Sequence, residues 1–156
     1  MTRKQYIGLL VAVAALVALF AFRTPPTPLV EQMPTAEFGG VSLRLEYALN
    51  DTEREKGLGG KTDVPEGYGM LFVFPDDDLY GFWMKDTLVP LDMFWIDAQG
   101  QVVYIAADVA TSTYPNVFYP SAPARYVLET AAGFARAHGI MKGTPLLLKN
   151  FPTVTE

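Results

Sequence analysis

The sequence contains no cysteine and only one histidine, His138. Without cysteine the chain forms no disulfide, performs no thiol chemistry and cannot carry the lipid of a lipid-anchored lipoprotein. Zinc is held by cysteine, histidine or several converging carboxylates, so a single histidine argues against a zinc site. Ser121, considered as a nucleophile, has no elbow motif around it. The sequence therefore predicts no metal, no cofactor and no recognisable catalytic triad.

Positive charge is also scarce. The chain has 12 Lys and Arg residues against 17 Asp and Glu residues, and three of the basic ones, Arg3, Lys4 and Arg23, flank an N-terminal apolar run. Without these three, nine basic residues face seventeen acidic ones, a net charge of −8 for the body. Nucleic acids and anionic lipid surfaces are bound through clusters of Lys and Arg. The composition therefore argues against both as partners of the body.

The longest hydrophobic run lies near the N-terminus, where the sixteen residues 7–22 follow Arg3 and Lys4. This length falls between the apolar core of a signal peptide and a membrane-spanning helix of about 20 residues. Residues 1–23 are therefore predicted to be an apolar targeting helix, either a signal anchor or a cleaved signal peptide. The two basic residues favour a cytoplasmic N-terminus and an extracytoplasmic body, periplasmic or at the cell surface.

Two further regions follow this helix. Residues 24–38 are predicted to be an extended, proline-rich spacer that holds the domain away from the membrane. Residues 39–156 are predicted to form a single β-rich domain, since the chain is long enough for one domain with a real core.

Period-two alternation and turn residues divide this domain into short elements. Thr52 with Glu55 three positions later is typical of a capping box and predicts a helix over residues 53–58, and a second helix is predicted over residues 131–138. Most links have hairpin length, and the helices are too few for repeated βαβ crossovers. The fold class is therefore predicted to be mainly β, a small antiparallel sandwich or barrel. Strands are predicted over residues 41–49, 69–74, 82–86, 91–97, 101–107, 125–129 and 146–149.

The most unusual segment is residues 81–97, GFWMKDTLVPLDMFWID. It contains both tryptophans, and it places Lys85 and Asp92 among large apolar side chains. A buried ion must be paired, or its pKa shifts until the group is neutral. The segment is therefore predicted to contain either a structural ion pair or a binding site.

Several motifs of the chain follow one another in the order typical of a known family. They are GMLFVF at 69–74, FWMKDT at 82–87, PLD at 90–92, Asp97 with Gly100, and RYVLE at 125–129 with Gly133. On these motifs the chain, from residue 41 onward, resembles domain-of-unknown-function family 192, a prokaryotic family whose members are often secreted or membrane-tethered. The resemblance implies a β-rich fold of jelly-roll character and no catalytic residue. The chain departs from the family pattern at Asp86, where asparagine is usual, and at residues 57–61 and 143–144.

Asp92 and Lys85 each have two interpretations. Asp92 is the polar side chain of an apolar strand, so it is either a buried base or ligand anchor, or one half of an ion pair that fixes the sheet. Its ion-pair partner would be Lys85, Arg125 or Arg54. Lys85 lies on the same side of its predicted strand as Trp83. In one interpretation the two form a platform for an anionic or sugar-like ligand. In the other, the lysine stem covers the ring while its amine reaches water or Asp92.

Asp86 and Tyr114 are also open to two interpretations. Asp86 is either the second carboxylate of an acid–base pair with Asp92, or a turn residue that bonds backbone amides near Thr87. Tyr114 lies in the long loop over residues 111–123, and loops of this length are often functional. It either lines a ligand groove or packs with its loop over the core.

Three functions fit these residues. The first is a tethered extracytoplasmic domain that binds a small molecule, a glycan or an envelope protein partner without catalysis, beneath the loop 111–123. The second is a hydrolase or glycan-active enzyme whose carboxylates are Asp86 and Asp92. The third is a structural or interaction domain in which the motif only supports folding. The candidate ligand-binding residues are Trp83, Lys85, Asp86, Asp92, Arg125 and Tyr114.

Overall fold

The structure, a computed structural model, describes residues 33–149. The predicted targeting helix over residues 1–23, most of the predicted spacer and residues 150–156 lie outside this range. Within the described range, no helix is long and apolar enough to cross a membrane.

A single sheet of seven strands, curled into a half-barrel, forms the framework of residues 33–149, together with two short helices. The strands lie side by side in the order β5-β4-β6-β3-β2-β1-β7, and neighbours are antiparallel except for the parallel pair β2 and β3. The predicted fold class, mainly β with largely antiparallel pairing and two short helices, is confirmed. In chain order the elements are β1 (Thr35–Phe38), β2 (Val41–Ala48), α1 (Asp51–Lys56), β3 (Tyr68–Asp78), β4 (Leu91–Ile96), β5 (Val102–Val109), β6 (Ala124–Ala131), α2 (Phe134–Ala137) and β7 (Leu146–Lys149).

Helix α1 lies in the connection between the parallel strands β2 and β3, which cannot be joined by a hairpin. Its N-cap is Asn50, whose side chain accepts a hydrogen bond from the Glu53 N–H at 3.0 Å, while the Glu53 carboxylate accepts from the Asn50 N–H at 3.3 Å. This capping box replaces the predicted one at Thr52 and Glu55. The helix therefore begins two residues earlier than expected, because the Asn50 oxygen satisfies the Glu53 N–H, one of the free amides of the first turn.

The predicted strand over residues 82–86 is wrong. Only Phe82 pairs with another segment, through an isolated bridge to Phe118. The chain then turns, and Asp86 adopts a φ of +54°, a left-handed conformation that a strand does not accept. This stretch is consequently a loop that lies against the sheet and not a member of it.

Two predicted boundaries also differ from the structure. Strand β1 begins at Thr35 and pairs with β2 on one side and β7 on the other, so part of the predicted spacer belongs to the sheet. Helix α2 covers only Phe134–Ala137 of the predicted 131–138, because β6 continues to Ala131 and Gly133 then adopts a φ of +86°.

Buried apolar side chains form two clusters, which lie on opposite faces of the sheet because successive side chains of a strand alternate. Strand β4, second from one edge of the sheet, is buried at all six positions, since both of its faces are covered. The first cluster includes Met70 and Phe72 of β3, Met93 and Trp95 of β4, and Val127 of β6. The second cluster includes Leu71 of β3, Phe94 and Ile96 of β4, Leu128 of β6, and Phe134 of α2.

Candidate functional site

A cleft of about 250 Å³ opens on the face of the sheet that carries the first cluster. Helix α1, strand β3 and residues 80–87 form its walls, and Glu129 of β6 lies at its floor. Sites for drug-sized ligands have volumes of roughly 300–1,000 Å³, so this cleft suits a smaller molecule. The lining residues are Arg54, Glu55, Lys56, Gly57, Leu58, Phe72, Phe74, Tyr80, Gly81, Phe82, Trp83, Lys85, Thr87 and Glu129.

Glu129 is the buried carboxyl group of the cleft. It is 4% exposed, and the residues opposite it on the neighbouring strands, Met70 and Met93, are uncharged. Within residues 33–149 its side chain makes no hydrogen bond and no ion pair. Burial without compensation disfavours the charged form and raises the pKa of Glu129 to about 8. At neutral pH the cleft floor is therefore mainly a protonated carboxylic acid.

Aromatic rings hold the cleft wall in place. The rings of Phe74 and Tyr80 stack with centroids 3.5 Å apart, and those of Phe72 and Phe82 meet edge to face at 4.8 Å. From the first cluster, the Trp95 indole Nε1 donates a hydrogen bond to the Tyr80 carbonyl oxygen at 2.7 Å. These contacts fix residues 80–82 to the sheet, so the wall is formed without a ligand.

Three of the predicted site residues meet at the rim of the cleft. Trp83 and Tyr114 are 43% and 48% exposed, and their ring centroids lie 6.1 Å apart in an edge-to-face arrangement. The Lys85 Nζ is 5.8 Å from the Trp83 ring centroid and 3.4 Å from Glu55 Oε1. The structure thus brings Trp83, Lys85 and Tyr114 together, and the lysine pairs with Glu55 instead of Asp92.

Asp92 lies on the opposite face of the sheet from the cleft. It is fully buried with the second cluster, and its carboxylate accepts hydrogen bonds from three backbone N–H groups. These belong to Asp108 at 2.7 Å, Gly133 at 3.2 Å and Ala135 at 2.7 Å. The predicted ion pair is therefore wrong: backbone amides satisfy this carboxylate, and they join β4 to the end of β5 and to α2.

Asp86 and Arg125 also lie away from the cleft floor. Asp86 lines a neighbouring surface groove that shares Glu55, Lys56 and Lys85 with the cleft, and its backbone carbonyl accepts from the Gly60 N–H at 2.9 Å. The Arg125 Nε donates to Asp77 Oδ1 at 2.6 Å and so ties β6 to the exposed end of β3. Since Asp92 is sealed on the other face, Asp86 and Asp92 do not share a cleft, and the geometry offers no two-carboxylate site formed from them.

Glu129 is the functional candidate that sequence reasoning missed, although it stands in the RYVLE motif. The available signal was its position two residues after Val127, which places both side chains on the same, core-facing side of the strand. A glutamate at the end of a short strand is usually solvent-exposed, and nothing in the sequence showed that β6 lies between β3 and β4. Within the described range, no three His, Asp or Glu side chains are arranged to hold a metal ion.

The fold and the site together define a small half-barrel domain with an aromatic-walled cleft over a buried carboxylic acid. The chain belongs to domain-of-unknown-function family 192, whose family model, described as an uncharacterized ACR, matches residues 34–148. This confirms the resemblance inferred from the motifs. No curated protein matches the chain.

Among the solved structures that are similar to it, two give the following comparison. A protein of unknown function from Novosphingobium aromaticivorans DSM 12444 is 30% identical, with a TM-score of 0.65, over 72% of this chain and 81% of that one. A protein from Sinorhizobium meliloti 1021, described as a candidate transcription regulator, is 28% identical, with a TM-score of 0.69, over 74% of this chain and 91% of that one.

Proposed function

We propose that this protein is a small-molecule-binding domain of the cell envelope, and that its ligand occupies the cleft above Glu129. The observation that carries this proposal is Glu129 itself, a buried carboxyl group at an open cleft with no partner among residues 33–149. Proteins pair nearly all of their buried polar groups, and the open cleft is the side from which a partner can reach Glu129. A ligand that bonds to Glu129 supplies the missing partner.

The surroundings of Glu129 support binding in two ways. A titratable group with a strongly shifted pKa in a cleft is typical of functional sites, and apolar walls with a few polar groups are typical of small-molecule sites. Trp83, Lys85 and Tyr114 add an exposed aromatic and cationic rim. Of the three hypotheses from sequence, the binding domain is therefore retained, with Glu129 in place of Asp92 at its centre.

The envelope location is supported by the N-terminal sequence. Arg3 and Lys4 precede the apolar residues 7–22, an arrangement that directs the following domain across a membrane. Alkaline phosphatase, which is active only outside the cytoplasm, gives a test when fused after residue 149. An active fusion is expected, and an inactive but intact fusion would contradict this location.

We do not propose nucleic-acid binding for this protein, although the Sinorhizobium meliloti relative is described as a candidate transcription regulator. Residues 24–156 contain nine Lys and Arg against seventeen Asp and Glu residues, whereas phosphate backbones are bound by surfaces with an excess of positive charge.

The test is a ligand screen on the full-length protein, kept in a detergent without a sugar head group. Saturation-transfer NMR with a library of small ring compounds should give ligands that bind the wild type. Glu129→Leu and Trp83→Ala should each weaken binding at least tenfold, because one removes the acid of the floor and the other a ring of the rim. Leu147→Ala, on the exposed face of the edge strand β7, is the matched control and should bind normally.

Two results would contradict the proposal. One is a screen without any ligand whose binding depends on Glu129. The other is a set of ligands that bind the two cleft variants and the Leu147→Ala control equally well, since their site would then lie elsewhere on the protein.

A further inference from the structure

We propose that the cleft takes one uncharged pyranose ring, and that Glu129 recognises it as a hydrogen-bond donor to the ring oxygen, which has no hydrogen to donate. This inference rests on the proposed function and names the ligand class of the same site. Three features support this ligand class: the buried, uncharged carboxyl group of Glu129, the aromatic surfaces of the cleft, and the donor and acceptor groups at its rim.

The floor of the cleft favours an oxygen acceptor without charge. The charged side chains that line the cleft beside Glu129 are Arg54, Glu55, Lys56 and Lys85, and none of them pairs with it. The Arg54 guanidinium is held by Asp51 at 2.6 Å and by backbone carbonyls, and Lys85 is held by Glu55. The third lining cation, Lys56, is exposed at the mouth of the cleft, whereas Glu129 at the floor is buried. An anion at the floor would therefore lose its water beside a buried carboxyl group, which is costly.

The aromatic surfaces suit the apolar face of a sugar ring. Trp83 is 43% exposed at the rim, and Tyr114 meets it edge to face, which leaves indole surface open to a ligand. The face of an aromatic ring is electronegative, so it attracts the weakly positive C–H groups that cover one side of a pyranose. A purely hydrocarbon ring would gain the same contact but would leave Glu129 without its partner.

The rim offers both hydrogen-bonding polarities. The Lys85 amine donates, and the Glu55 carboxylate accepts, and both side chains are partly exposed, at 38% and 71%. A hydroxyl group is at once a donor and an acceptor, so neighbouring hydroxyls can bond to both members of this pair. The volume of about 250 Å³ accommodates one small ring and excludes a longer chain from the floor.

The test measures binding of three probes to the full-length protein by titration at pH 6 and pH 9.5, in the same sugar-free detergent. The probes are glucose, N-acetylglucosamine and cyclohexanecarboxylate, an anionic ring of similar size. Because the pKa of Glu129 is about 8 and only its acid form donates, the affinity of a sugar should fall about 30-fold between the two pH values. Cyclohexanecarboxylate should not bind at either pH.

Two variants distinguish recognition by Glu129 from a general effect of pH. Glu129→Gln keeps a neutral donor at every pH, so it should bind the sugar with no change between pH 6 and pH 9.5. Glu66→Gln replaces an exposed glutamate outside the cleft and should keep the wild-type pH dependence.

The possible failures are separable. If compounds from the ring library bind through Glu129 but neither sugar does, the pyranose assignment is overturned and the proposed function stands. If a sugar binds but Glu129→Gln keeps the loss of affinity at pH 9.5, the role of Glu129 as donor is overturned. If nothing binds through the cleft, the proposed function fails and this inference fails with it.

Discussion

Replacing Glu129 by glutamine should stabilise the protein, and by an amount that grows with pH. In the unfolded chain a glutamate ionises near its ordinary pKa of 4.5, whereas burial raises the pKa of Glu129 in the folded protein to about 8. Between these two values the folded state binds more protons than the unfolded state. The free energy of unfolding of the wild type therefore falls as pH rises through this window, and the contribution is constant below pH 4.5 and above pH 8.

The size of the effect follows from the shift in pKa. One pKa unit corresponds to about 1.4 kcal/mol, so ionisation of the unfolded chain costs the wild type about 3 kcal/mol between pH 4.5 and pH 7. At pH 8 and above, the loss reaches about 5 kcal/mol. Glutamine has nearly the same shape and stays neutral, so the variant avoids this loss. The carboxylates with lowered pKa, Glu37, Glu46 and Glu53, are present in both proteins and cancel from the difference.

The assay is urea unfolding of wild type and Glu129→Gln at half-unit steps from pH 4.5 to pH 9, with Glu66→Gln as the control. The difference in unfolding free energy between Glu129→Gln and wild type should rise steadily up to about pH 8 and then level off. The control should track the wild type throughout. A difference that does not change across this range would refute the reasoning, because Glu129 would then ionise like an exposed glutamate.

Three other perturbations have clear expected outcomes. Asp92→Asn should lower the free energy of unfolding by about 2–4 kcal/mol, because the single side-chain oxygen of asparagine cannot accept from all three backbone donors. Ligand affinity should be unchanged in a titration, and weaker binding would contradict the placement of Asp92 away from the cleft. Asn50→Ala removes the N-cap of α1 and should cost about 1 kcal/mol in a denaturant titration; an unchanged midpoint would contradict the capping role. Lys85→Ala should change the free energy of unfolding by less than about 1 kcal/mol, since the ion pair of Lys85 with Glu55 is exposed. The same variant should weaken ligand binding, and normal binding would show that the rim does not contact the ligand.

Local patterns predicted most of the sheet, because a strand with one buried face shows its alternation in the sequence. In β2, Leu43 and Leu45 are buried while Ser42, Arg44 and Glu46 are exposed, as the alternation indicates. The closing strand β7 was predicted with the bounds it has in the structure. The parallel pairing of β2 with β3 was not predicted, since it depends on how the chain returns after α1.

The apolar character of residues 82–86 gave the wrong element for a physical reason. Phe82 and Met84 are buried because they pack onto the first cluster from outside the sheet, and not because they belong to a strand. Apolar residues at alternate positions look the same in both cases. The turn at Asp86, with its positive φ, is set by contacts with the residues after α1 that are distant in sequence.

The candidate site was only partly predictable because burial of a charge depends on the whole sheet. Trp83, Lys85 and Tyr114 were predicted from unusual local chemistry, and they do lie together. Asp92 was correctly recognised as buried, but its partners are backbone amides, which no side-chain pattern can indicate. The burial of Glu129 follows only from the strand order, in which β3 and β4 flank β6.

The two clusters on opposite faces of one sheet have a consequence for how relatives of this protein can diverge. Strands β3, β4 and β6 each send alternate residues to either side, and the cleft opens on one side only. Substitutions at separate, non-contacting sites usually have additive effects on stability. Under the proposed function, changes such as Phe74 or Tyr80 to other rings can therefore alter the cleft while Phe38, Phe94 and Phe134 keep the sheet folded from the other side. Members of one family can thus share this scaffold and differ in the residues that line its cleft.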